Sequence, residues 1–210
     1  MSNTQQQRVY AGLGAAVAWF ALILQFVLLM QNRKTSAGEA IVRYFSYFTV
    51  LSNILVALCY TFFVAGIKGF FAKVGTQTAI VVYIVIVGLV YNTVLRFQWL
   101  PSGLARISDE LFHSVTPVLF VLYWLLYVDK RSLQWRDIPA WLLFPLAYLG
   151  YTLLHGSLTA FYPYPFLDVG QLGYPSALLN CLWVTIAFIL FSLLFVGLAK
   201  AWRKRPPVAV

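Results

Sequence analysis

The chain has 210 residues, 61% of them hydrophobic and only 10% charged, which leaves too little polar surface to cover a water-soluble domain. Its formal charge of +9 would suit a nucleic-acid partner if the basic residues formed a face. They are instead scattered between apolar runs and densest in the C-terminal "KAWRKR", so they read as topology signals and anionic-lipid contacts, with no nucleic-acid binding.

The composition is that of an integral membrane protein, and the fold class it implies is all-α: six transmembrane helices in one bundle, a single domain over residues 1–210. The first apolar run, "VYAGLGAAVAWFALILQFVLLM", follows a short segment with one cation, Arg8. At about 22 residues it exceeds the roughly 7 to 15 of a signal-peptide core and reads as a retained helix. The second, "YFTVLSNILVALCYTFFVAGI", is preceded by Ser46, so that Ser46, Thr49 and Asn53 share one face if the helix is continuous. The third and fourth are "TAIVVYIVIVGLVYNTVL" and "LFHSVTPVLFVLYWLLYV". The fifth, "IPAWLLFPLAYLGYTLL", contains Pro139 and Pro145, which membrane helices tolerate when neighbours satisfy the freed carbonyls. The sixth is "LLNCLWVTIAFILFSLLFVGLA". Cys59 and Cys181 lie inside apolar runs and read as buried thiols.

Six spans put both termini on one side. Alternate connections carry Arg8, Lys68, Lys73, Lys130, Arg131, Arg136, Lys200, Arg203, Lys204 and Arg205 on that side, against Arg33, Lys34, Arg43, Arg96 and Arg106 on the other. This ten-to-five bias places both termini in the cytoplasm, for a multi-pass protein of a bacterial inner membrane. Trp99, Trp124, Trp135, Trp141 and Trp202 fall at or near the predicted helix ends, where an aromatic belt belongs.

With this orientation the outer edge collects Ser46, Thr49 and Asn53, then Asn92 and Arg96, then Asp109, Glu110 and His113, then His155. The long connection "HGSLTAFYPYPFLDVGQLGY" adds Asp168 and reads as a rigid re-entrant or capping loop. At about 1.5 Å per residue Asn53 lies some 10 Å below Ser46, so the cluster occupies the outer leaflet. Asp109 and His113 are spaced i, i+4, and Glu110 reaches His113 at i+3. Each residue also has a plain structural reading: hydroxyls bonded back to their own helix, Arg96 snorkelling, carboxylates in a first helical turn.

An alcohol, an imidazole and a carboxylate are the parts of a nucleophilic hydrolase, with Asn53, Asn92 or Arg96 available as oxyanion donors. No Gly-x-Ser-x-Gly elbow occurs. The depth suits a substrate that partitions into the leaflet, such as a lipid ester, so the expected partners are membrane lipids and an amphiphilic lipid substrate. A zinc amidase would want three histidines, and the chain has two; haem ligation by His113 and His155 is compatible with their position. A transporter would place its carboxylates nearer the midplane. The hydrolase reading needs no metal or organic cofactor. Its alternative is a non-enzymatic protein that binds or transports a small amphiphile in the same outer-side cavity.

The segments "RYFSYFTVLSN", "DELFHSVTP" and "HGSLTAFYPYPFLD", in this order on six predicted helices, resemble the androgen-induced family of membrane proteins and its bacterial relatives, over Arg43 to about Tyr174. Eukaryotic members of that family are membrane-embedded threonine hydrolases that cleave fatty acid esters of hydroxy fatty acids with a threonine and a histidine. The resemblance implies His113, ahead of a proline in the same helix, as the base. It sets the family's threonine on Ser46 of "RYFS", with Thr49 one turn deeper, so either hydroxyl is the expected nucleophile. Asp109 or Glu110 would orient the base, and His155 and Asp168 would contact substrate.

Overall fold

The computed structural model describes residues 3–98 and 100–203 and is 85% helical, with no strand among the described residues. Five helices are long and apolar enough to cross a membrane, and one bent helix pair supplies up to one more. The protein is an all-α, polytopic membrane protein. Trp99, Lys204 and Arg205, and the side chains of Trp202 and Arg203, lie outside the described residues. Hydropathy reads residues 1–210 as one domain; in space the chain clusters as two compact units, Met1–Val128 and Asp129–Val210.

In the first unit, α1 (Asn3–Gln31) and α3 (Phe48–Val64) pack closely because α1 offers small residues to its partner. Ala11, Ala18 and Ala21 are fully buried, and a Cβ on Gly14 would lie 2.6 Å from the Tyr60 ring. Their spacing alternates three and four residues, as in small-residue interfaces of membrane helices. The other side of α1 exposes Leu13, Phe20 and Ile23, which suits lipid. α4 (Val74–Val90) is buried over 61% of its apolar window, against 22% for α1, because Ile80, Val81, Val82 and Ile84 bury every side of it. α5 (Gly103–Glu110) runs through a π turn, Leu111–Val115, into α6 (Thr116–Tyr127). Trp124 is a core residue here and no part of a belt: it is buried and donates from Nε1 to Thr78 Oγ1 at 2.9 Å.

The second expected span, residues 47–67, is α3, and the chain bends sharply just ahead of it. α2 (Ala37–Phe45), capped by Ser36, meets α3 at a bend of 72°. Tyr47 is extended at the joint, and Ser46 donates from its hydroxyl to Val42 O at 2.8 Å, a back-bond that favours helix bending. Tyr44 OH reaches Leu22 O at 2.8 Å and ties α2 to α1. The expected common face of Ser46, Thr49 and Asn53 is therefore reduced to Thr49 and Asn53.

In the second unit, α7 (Ile138–Thr159) continues through Pro145 and buries Trp141. α8 (Val169–Arg203) starts earlier than hydropathy suggests and is broken at Gly173, whose φ of 73° lies in the left-handed region just before Pro175. The connecting "YPYPFLD" folds back on its own unit. The Tyr162 ring covers Gly156, where a Cβ would come within 2.1 Å of it. Asn180 donates to Phe166 O at 2.8 Å, and Leu167 packs with Leu149 and Cys181.

Candidate functional site at two π turns

α4 ends in a π turn, Tyr91–Leu95, and the helix opposite it opens one at Leu111–Val115. Such turns insert an extra residue and take carbonyls out of the regular ladder, and they recur at functional sites. In the second turn the Thr116 N–H bonds Leu111 O, which removes the ordinary donor for Phe112 O. Pro117 has no N–H to offer His113 O. Two amides from neighbouring helices fill these gaps: Asn53 Nδ2 donates to Phe112 O at 3.4 Å, and Asn92 Nδ2 to His113 O at 3.1 Å. Each amide also donates to its own helix, Asn53 to Thr49 O at 2.9 Å and Asn92 to Gly88 O at 2.8 Å. Both hydrogens of each Nδ2 are thus engaged, so these residues hold the backbone around His113 and have no donor left for an oxyanion.

Gly88 permits this approach. A Cβ there would sit 3.0 Å from His113 O and 3.4 Å from Pro117.

His113 itself is held on two sides. Its Nδ1 lies 3.2 Å from Asp109 Oδ1 and 2.8 Å from Asp109 O; both are acceptors, so Nδ1 is the donor, and the neutral ring has its lone pair on Nε2. The Tyr91 ring stacks on the imidazole at 3.9 Å with an interplanar angle of 14°, and the Tyr91 hydroxyl donates to Asp109 Oδ2. His113 and Asp109 are nearly buried, at 13% and 14% side-chain exposure. Of the two carboxylates expected to orient the base, it is Asp109 that meets the ring.

Glu110 turns elsewhere. Its Oε2 accepts from Arg96 Nη2 at 2.6 Å and from Ser114 Oγ at 2.9 Å, while the Arg96 guanidinium lies 5.3 Å from the Tyr91 ring centre. Because α5 begins at Gly103, Asp109 and Glu110 are well past the first turn, and side-chain partners hold them in place of a helix dipole.

The fold therefore gathers Asn53, Asn92, Arg96, Asp109, Glu110 and His113 at one end of the first unit. Thr49 is half-buried one turn nearer the start of α3 than Asn53, on the same face, whereas Ser46 is buried in the bend. His155 and Asp168 belong to the second unit. There His155 stacks on Tyr151 at 5.4 Å, and Asp168 caps α8 by accepting from Gln171 N at 3.2 Å.

Tyr91 and Ser114 were missed by sequence reasoning, because a tyrosine and a serine inside apolar runs look like an interfacial ring and a back-bonded hydroxyl. The only signal was that Tyr91 directly precedes Asn92, and Ser114 directly follows His113. Among the described residues no group of three or more His, Cys, Asp or Glu side chains is placed to hold a metal ion.

Compared with known proteins, the chain matches no family model, no curated protein and no solved structure. The site is thus read from its own geometry: a histidine with a fixed tautomer, a carboxylate behind it, and hydroxyl-bearing residues at the start of the adjoining helix.

Proposed function

We propose that this protein is a membrane-embedded hydrolase of lipid esters, fatty acid esters of hydroxy fatty acids or similar, with His113 as general base and Thr49 or Ser46 as nucleophile. The observation that carries this reading is the hold of Asp109 on His113 Nδ1, a hydrogen bond to its carbonyl oxygen at 2.8 Å with its carboxylate 3.2 Å away. It leaves Nε2 as the proton acceptor and stabilises the imidazolium that forms. The resemblance of "RYFSYFTVLSN", "DELFHSVTP" and "HGSLTAFYPYPFLD" to the androgen-induced family supports the same assignment.

In the reaction, Nε2 takes the hydroxyl proton as the oxygen attacks the ester carbonyl carbon. The imidazolium then protonates the departing alkoxide, giving an acyl-enzyme and a free alcohol. Water, activated by the same Nε2, hydrolyses the acyl-enzyme and releases the fatty acid. Of the two hydroxyls we favour Thr49, because Ser46 is fully buried and donates to Val42 O.

Both termini are assigned to the cytoplasm on the ten-to-five charge bias, which puts the site in the outer leaflet of a bacterial inner membrane. Reporter fusions at Val210 and in "YPYPFLD" test this. Purified protein assayed with branched fatty acid esters and short nitrophenyl esters tests the chemistry: His113→Ala should lose about 10²- to 10⁴-fold, and Thr49→Ala should lose as much. A fluorophosphonate should label the nucleophile only when His113 is present. Full activity in His113→Ala would overturn the mechanism. Ester binding by the wild-type protein with no turnover would replace it with amphiphile binding.

A further inference from the structure

At the opposite end of the first unit from His113, a cavity of about 330 Å³ opens between the start of α1 and the connection from α3 to α4. Arg8 and Lys68 line it together with Phe63, Ile67 and Phe71. The connection bends through Gly66 and Gly69, whose φ values of 70° and 139° are costly for other residues, and Gln77 Nε2 fixes its far side by donating to Phe71 O at 2.9 Å.

Neither cation has an acidic partner among the described residues. The three acidic side chains of this unit are engaged elsewhere: Glu39 with Arg43, Asp109 with His113, and Glu110 with Arg96. Two unneutralised cations facing one cavity repel each other, and an anion between them relieves that repulsion. A guanidinium fork beside an ammonium fits the two non-bridging oxygens of a phosphodiester. Thr4 and Gln77 add polar edges, and the rest of the wall is aromatic and aliphatic and continues onto exposed Ile67 and Phe70, which offer a free phosphate nothing but suit an acyl chain.

We propose that this cavity is a binding site for an anionic phospholipid, with the phosphodiester between Arg8 and Lys68 and the acyl chain along Phe63, Ile67 and Phe71. The site is independent of the chemistry proposed at His113. A zwitterionic choline headgroup would bring its own cation against the same pair, so selectivity for net-negative headgroups follows.

The test uses the full chain in nanodiscs of phosphatidylglycerol and phosphatidylcholine, with lipid retention read by native mass spectrometry and folding by circular dichroism. The wild-type protein should retain phosphatidylglycerol over phosphatidylcholine. Arg8→Gln with Lys68→Gln should weaken that retention at least tenfold, whereas Arg8→Lys with Lys68→Arg should keep it. Arg33→Gln with Lys34→Gln, at the other end of α1, should leave it unchanged. Equal retention of the two lipids, or undiminished retention in the double glutamine variant, would overturn the proposal. So would displacement of the lipid by equimolar glycerol phosphate, which would mark a site for a soluble phosphate.

Discussion

The side-chain amide of Asn92 donates to the backbone carbonyl of His113 at 3.1 Å, the one carbonyl that Pro117 cannot satisfy from within its own helix. The proline breaks the ladder where the histidine needs a defined orientation, and an amide from the facing helix closes the gap. Asn92→Leu should therefore destabilise the protein by about 1–2 kcal/mol, the usual consequence of leaving a buried carbonyl unpaired. Pro117→Ala restores an N–H to that carbonyl, so the same Asn92→Leu change made in Pro117→Ala should have less than half the effect. Thermal unfolding of the four proteins in one detergent measures the coupling, and additive effects would mean that the two groups do not share the carbonyl.

Tyr91 acts on His113 through Asp109. Removing its hydroxyl with Tyr91→Phe keeps the ring stack but frees one carboxylate oxygen, so Asp109 should orient the imidazole less well. Under the proposed hydrolase, kcat should fall about tenfold with KM nearly unchanged, because an orienting interaction of this kind matters most in the transition state. Tyr91→Leu, which also removes the stack, should fall further. A Tyr91→Phe protein with wild-type kcat would show that Asp109 holds the ring unaided.

In the second unit, Gly156→Ala should be destabilising by about 1–3 kcal/mol, because the new methyl must displace the Tyr162 ring from its place over the helix. Tyr162→Ala in the same chain should remove most of that penalty. Protease cleavage within "YPYPFLD" reads out the loop directly: faster cutting in Gly156→Ala than in wild type is expected, and equal rates would mean that the loop does not depend on this contact.

Asp129, in the connection ahead of α7, accepts from Arg131 Nε, Nη2 and backbone N, and these bonds push its carboxyl down to about 2. A carboxylate depressed in the folded state contributes stability above its unfolded value of about 4, and that contribution is lost as pH falls toward 2. Arg131→Gln should return the Asp129 titration, followed by carbon NMR of the carboxyl, toward the ordinary range. A wild-type Asp129 that already titrates near 4 would contradict the pairing.

The sequence by itself determined that the chain is an all-α membrane protein, since 61% hydrophobic residues in runs of membrane-crossing length leave the backbone no other way to satisfy its hydrogen bonds. It also placed Asp109 one turn from His113, a pairing that needs only helical periodicity and that the fold keeps at 3.2 Å. What periodicity cannot carry is a departure from the period. The bend at Ser46, the two π turns and the break at Gly173 each shift the register: the face drawn for an ideal helix grouped Ser46 with Thr49, and the bend separates them, while the meeting of Tyr91 with Asp109 joins two helices and follows from neither one's period. The partners of Asn53, Asn92 and Glu110 were likewise settled only in three dimensions. Beyond the bonds each makes along its own helix, Asn53 and Asn92 reach the Phe112 and His113 carbonyls that the π turn and Pro117 leave without their usual donors, and Glu110 reaches the Arg96 guanidinium; no local pattern in one segment records what its neighbour leaves unpaired.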